Sequence, residues 1–255
     1  MPQPRRSRLS LALAPLLALA ACQDGPTGPD SYVQSAGGVE WVAVTEPVGM
    51  ARADAWLRYA APDAPVRAAV HGLHESAARS RAAGRMEEAL RMEGQALLLA
   101  AGGMSRSPAP RRVLEPLAAL DVWADRARER LEQGRYPALD SALTSVAARA
   151  DSARAALAAG DTSAAVLLVA RGTLRAREQG PMAVGLRLLA SAEARLQARG
   201  AGQNAARARR LLAGAREGLA AGDSIRALRR AVYALQLLDA PEAPGQMVDS
   251  ADAPR

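Results

Sequence analysis

Residues 137–180 read PALDSALTSVAARADSARAALAAGDTSAAVLLVARGTLRAREQG, and this stretch decides the fold. Leu139, Leu143, Val146, Ala150, Ala153 and Leu157 recur at three- and four-residue spacings, the period of one face of an α-helix. The stripe predicts a helix over 136–158. Gly160 stops the stripe, and Asp161 follows as a cap for the next helix. The run Ala164 to Ala170 is apolar nearly all round, which predicts a central helix over 162–178.

The same grammar extends in both directions. Downstream, Met182, Leu186, Leu189 and Leu196 mark a helix over 181–199, with Pro181 in its first turn. Ala205, Ala208, Leu212, Ala215 and Leu219 mark 203–221, and Ile225, Leu228, Val232 and Leu235 mark 224–239. Upstream, Leu117, Leu120, Ala124, Ala127 and Leu131 mark 113–133. Val66, Val70, Leu73 and Ala77 mark one earlier helix, and Met86, Leu90 and Leu97 the next. A short helix over 51–60 precedes them. Gly84, Gly134, Gly160, Gly180, Gly200 and Gly222 each end a stripe, where a left-handed cap favours glycine. Helices of about five turns joined by such short turns fold back antiparallel. The expected fold is therefore all-α, antiparallel hairpins forming a bundle or a short α-solenoid over 48–240.

Composition agrees. Of 255 residues, 49% are hydrophobic and only 3% aromatic; Ala and Leu dominate, and Phe and Lys are absent. That alphabet favours helix over strand. Val39-Glu40-Trp41-Val42-Ala43-Val44 alternates like a strand but has no evident partner, so an extended segment lying on a helix is expected. With one Cys, no internal disulfide can form.

Three turns share a pattern. Ala82-Ala83-Gly84, Ala158-Ala159-Gly160 and Ala220-Ala221-Gly222 are alike, each with Ala seven residues before the Gly. The last two are also followed by Asp. Three helices fit between the second turn and the third, so the repeating unit would be a three-helix unit, with copies at 51–101, 113–179 and 181–239.

The N-terminus reads as an address. Arg5, Arg6 and Arg8 precede the apolar run Leu9 to Ala21, too short to span a bilayer and right for a signal-peptide core. It ends Leu19-Ala20-Ala21-Cys22, which resembles the lipobox of bacterial lipoproteins. The resemblance implies removal of residues 1–21 and lipidation of Cys22, with palmitate on the mature N-terminus. Gln23 after the Cys resembles outer-membrane sorting signals more than the Asp of inner-membrane retention. The implied location is the bacterial cell envelope, facing the periplasm. Residues 22–47, rich in Pro and Gly at first, read as the lipidated Cys and a flexible tether; 241–255 read as a disordered tail.

The hairpin turns also resemble those of the tetratricopeptide family, Gly134-Arg135-Tyr136-Pro137-Ala138-Leu139 most nearly. That resemblance implies a packing style and no ligand-binding residues.

Chemistry is sparse. Losing Arg5, Arg6 and Arg8 takes the formal charge from +7 to +4, which removes the main argument for a nucleic-acid partner. His71 and His74 lack a third metal ligand and the His-Glu-x-x-His spacing. No Gly-rich loop follows a strand, and no G-x-S-x-G occurs, so neither a cofactor nor catalysis is expected. Asp121, Asp125 and Glu129 interleave with Arg126, Arg128 and Arg130 as an ion-paired, solvated face. Arg207, Arg210, Arg226, Arg229 and Arg230 form the best candidate interaction patch, because guanidinium groups capture carboxylate or phosphate in bidentate fashion. Trp56, Tyr59 and Trp123 are rare large side chains expected to fill the core. Two functions fit: a lipid-anchored helical-repeat scaffold with a protein partner in the envelope, or a periplasmic carrier or sensor holding a small ligand between helices. A filled core with an open groove favours the first; an apolar cavity beside Trp56 or Trp123 favours the second.

Overall fold

The computed structural model describes residues 31–36, 39–50, 52, 64–103 and 108–241. The expected signal segment, Cys22, the helix expected over 51–60 apart from the helical Arg52, with Trp56 and Tyr59, and the expected tail from 242 lie outside the described residues. Among the described residues, eight long helices follow a two-stranded hairpin. They are α1 Ala64–Ala82, α2 Met86–Gly102, α3 Arg111–Gln133, α4 Pro137–Ala158, α5 Thr162–Arg177, α6 Pro181–Arg199, α7 Gln203–Ala220 and α8 Ser224–Asp239. The fold is the all-α architecture that the spacing predicts, and most boundaries fall within two residues of the expected ones.

Three turns close identically. The Gly84 N–H donates to Arg81 O and the Arg85 N–H to Ser80 O; Gly160 and Asp161 donate to Leu157 and Ala156, and Gly222 and Asp223 to Leu219 and Gly218. Their φ values are 75°, 80° and 80°. This is the paired-bond Schellman closure, which glycine adopts without the penalty a Cβ carries. Asp161 and Asp223 then cap α5 and α8 by accepting from Ala164 N and Arg226 N. Gly134 and Gly180 depart from expectation. Gly134 is extended at φ −174°, and Gly180, at φ −75° and ψ 161°, is the N-cap of α6. Neither uses the freedom that glycine has.

Helices α3, α4 and α5 form one three-helix unit; α6, α7 and α8 form another, with α8 between α6 and α7. The hairpin of α1 and α2 packs onto α5 through α2. Helix α5 thus meets α2, α3 and α4, the central position its all-round apolar face implies. Two buried cores result. One joins α1 to α5 around Leu120, Trp123, Leu139 and Val146. The other joins α6 to α8 around Leu188, Leu212, Leu219 and Leu235. The α6 stripe lies one face over from the expected one. Val184, Leu188, Leu189 and Ala192 are buried, while Met182, Leu186 and Leu196 are half-buried at its edge.

The largest correction concerns residues 31–47, expected as tether. Strands β1 Ser31–Ala36 and β2 Val39–Val44 pair antiparallel, with Ser31 opposite Val44 and Ala36 opposite Val39. The alternating stretch has its partner after all. Strand β2 is a wedge between the two cores. Val42 and Val44 belong to the first, and Ala43, pointing the other way, belongs to the second. Ala43 and Val44 are fully buried. Full burial of a valine contributes about 1.5–3 kcal/mol. Among the described residues the fold therefore includes 31–47 and does not start at 48.

Polar contacts fasten the end of the wedge. The Val44 N–H donates to Gln179 O at 2.9 Å. Arg126 reaches Thr45 O at 3.4 Å, and Arg177 Nε donates to the Glu46 carboxylate at 2.7 Å. Gln179 is itself buried in the turn between α5 and α6.

Candidate functional site

The candidate interface lies along α7 and α8. Arg207, Arg210, Gly214 and Glu217 fall at three- and four-residue spacings and so share one stripe of α7. Helix α8 returns beside them from the Gly222 turn. Gly214 lacks the side chain that would block the approach of α8: a Cβ there would overlap the terminal nitrogen of Arg230. Through that gap Arg230, half-buried, crosses onto α7 and donates to Gly214 O at 2.6 Å. Its guanidinium is fixed in place by the backbone.

Around it opens a groove of about 630 Å³, lined by Arg207, Arg210, Arg230 and Glu217 with Leu211 and Leu237 as its apolar part. Arg207 and Arg210 are exposed, and neither has an acidic partner among the described residues. The groove combines three cations, one carboxylate and a short apolar strip. It suits an acidic ligand that also offers a hydrophobic side chain.

Of the five arginines expected to form a patch, the structure brings Arg207, Arg210 and Arg230 together. Arg226 and Arg229 are exposed on α8 but do not line the groove. Arg229 is one residue from Arg230, and successive helical residues point about 100° apart. Gly214 and Glu217 were not singled out from sequence. Glycine inside a helix beside a run of arginines was the available signal for the first.

The other candidates resolve as structure. His71 is exposed, with Nδ1 3.5 Å from the Glu75 carboxylate, one turn along α1. Among the described residues no group of three His, Cys, Asp or Glu could hold a metal ion. The acidic face of α3 is ion-paired: Asp121 with Arg154 at 2.5 Å across to α4, and Asp125 with Arg128 at 2.5 Å. The hydrogen bond to Asp121 holds the Arg154 guanidinium above the usual arginine range. Arg187 is exposed over the α5–α6 turn, where it donates to Glu178 O at 2.9 Å; desolvation of its guanidinium lowers its pKa. Trp123 is fully buried within the first core. No described helix is long and apolar enough to cross a membrane.

Compared with known proteins, the chain matches no family model, no curated protein and no solved structure.

Proposed function

We propose that this chain is a lipid-anchored envelope protein that works as a helical-repeat scaffold, holding an acidic segment of a protein partner in the groove between α7 and α8. The observation that carries the reading is Arg230 locked to Gly214 O, which presents a fixed cation beside the exposed Arg207 and Arg210. A preset guanidinium loses less freedom on binding than a mobile one. The lipobox at Leu19-Ala20-Ala21-Cys22 supports the anchor, and Gln23 supports an outer-membrane location facing the periplasm. Full burial of Trp123 within its core favours the scaffold over the carrier that encloses a small ligand.

The test is recovery of partners from native membranes with the full chain as bait. Arg207→Glu with Arg210→Glu should weaken recovery of an acidic partner about tenfold, roughly 1.4 kcal/mol, at unchanged helicity. Moderate salt should mimic the effect by screening. Equal recovery with and without the substitutions would remove the groove from the reading.

A further inference from the structure

Helix α7 carries its charges in two sets. Arg209 donates to Gly200 O at 2.9 Å, and Arg216 pairs with the Glu193 carboxylate on α6 at 2.6 Å. These two share a face, two helical turns apart, and serve the fold. Arg207, Arg210 and Glu217 lie on the opposite face, exposed. Among the described residues none of the three has an ion pair or a side-chain hydrogen bond. The positions three and four residues from Glu217 are Ala213, Gly214, Ala220 and Ala221, so its own helix supplies no counter-charge. Arg230 is committed to Gly214 O instead. Helix stability does not account for this order of charges. The last turn of a helix favours cations, yet Glu217 stands in the last turn of α7, and Arg207 and Arg210 stand in its first half.

The close crossing of α8 fixes the order in space. A Cβ at Gly218 would press on Ala227 at 3.3 Å, as one at Gly214 would overlap Arg230. Antiparallel α8 thus runs back along α7, with Arg230 beside Gly214 and Leu237 toward the Arg207 end. From the start of α7 the groove reads two cations, an apolar strip, a locked cation and a carboxylate. Arg210 and Glu217, seven residues apart, are separated by about 10 Å along the axis.

We infer that the groove selects a dipolar protein segment, with carboxylates at one end and an ammonium or guanidinium group about 10 Å away, and that Glu217 sets this selectivity. The inference rests on the reading of the groove as a site for an acidic segment, and names what that segment carries besides its acids. The carboxylates meet Arg207 and Arg210, an apolar side chain lies on Leu211 and Leu237, and the cation meets Glu217. A uniform polyanion, such as a row of phosphates, sets a negative charge against Glu217 and is disfavoured there. Glu217 thus works by rejection as well as by attraction.

The experiment uses the full chain and two fluorescent helical peptides that differ at one position. Both carry a pair of glutamates one turn apart, followed by a leucine. Two turns beyond the second glutamate, one peptide has arginine and the other a further glutamate. Fluorescence anisotropy at low ionic strength should find the arginine peptide bound about fivefold more tightly. Glu217→Gln should bring the two affinities within about twofold of each other, and Glu217→Arg should reverse their order. Both substitutions fall on an exposed side chain, and circular dichroism should find the helicity unchanged. Equal affinity of the two peptides for the wild-type chain, or a preference that survives Glu217→Gln, would overturn the role of Glu217 and leave the arginine groove standing. Binding of neither peptide, or binding that Arg207→Glu with Arg210→Glu does not weaken, would overturn the groove reading itself and this inference with it.

Discussion

Arg177 Nε donates to the Glu46 carboxylate at 2.7 Å, joining residues 131 positions apart in the chain. Both side chains are about three-quarters buried. The pair closes the turn end of α5 over the segment that leaves the β2 wedge. Together with the Val44–Gln179 and Arg126–Thr45 bonds, it fastens the first described segment to the junction of the two three-helix units.

Removing one partner should be felt at that junction. Glu46→Gln should cost about 1 kcal/mol, more than a fully exposed pair contributes and less than a fully buried one. A double-mutant cycle with Arg177→Met, read by urea denaturation, should show coupling of similar size. Additive effects within error would mean that the two groups merely sit side by side.

Truncation should measure what the wedge contributes. A chain beginning at Ser31 should match the full chain in helicity and melting temperature. A chain beginning at Val48 loses Val42, Ala43 and Val44 and uncovers both cores. It should lose several kcal/mol, given about 1.5–3 kcal/mol for each fully buried valine, and should bind apolar dyes. Calorimetry that finds the two chains equally stable would show the hairpin to be an accessory.

The glycines divide by conformation, and substitution should reveal it. Gly160→Ala and Gly222→Ala meet no neighbouring atoms but must hold φ near +80°. Each should destabilise by about 1–2 kcal/mol. Gly134→Ala, at an extended φ, should be neutral or stabilising by about 0.4–1 kcal/mol, because it restricts only the unfolded chain. Thermal melts showing the same sign at all three positions would contradict the turn assignment.

Gly214→Ala offers a probe of the groove that leaves the fold intact. The added methyl displaces the flexible end of Arg230 rather than backbone. Lost hydrogen bonding and the gain of about 1 kcal/mol in helix propensity nearly cancel. Stability should therefore hold while acidic-partner binding, followed by titration calorimetry, falls. Unchanged affinity would show that the fixed position of Arg230 is irrelevant to recognition.

The helices were legible because their signal is local. Leu212, Ala215 and Leu219 repeat at the helical period, and Gly160-Asp161 and Gly222-Asp223 punctuate it. The hairpin was not legible, because in Ser31–Ala36 only Tyr32 and Val33 favour a strand, between Ser, Gln and Ala residues that do not. What makes β2 a strand is the gap between two cores, a tertiary fact. On α6, likewise, the size of an apolar side chain is a poor guide to its burial. That helix must serve α8 on one side and β2 on another, so Val184 and Ala192 outrank Leu186 and Leu196. The arginine patch was half legible. Its composition showed in the sequence, but Arg230 enters the groove only because Gly214 leaves room, while Arg229 is turned away.

The measurement that bears most directly on a lipid-anchored scaffold is the mass of the mature N-terminal peptide from the chain expressed in a bacterial envelope. The account predicts a chain that starts at Cys22 and carries acyl groups, a modification lost together with membrane retention in Cys22→Ala. A mature chain that begins elsewhere, or an unmodified Cys22 in a protein that stays on the membrane, would contradict it.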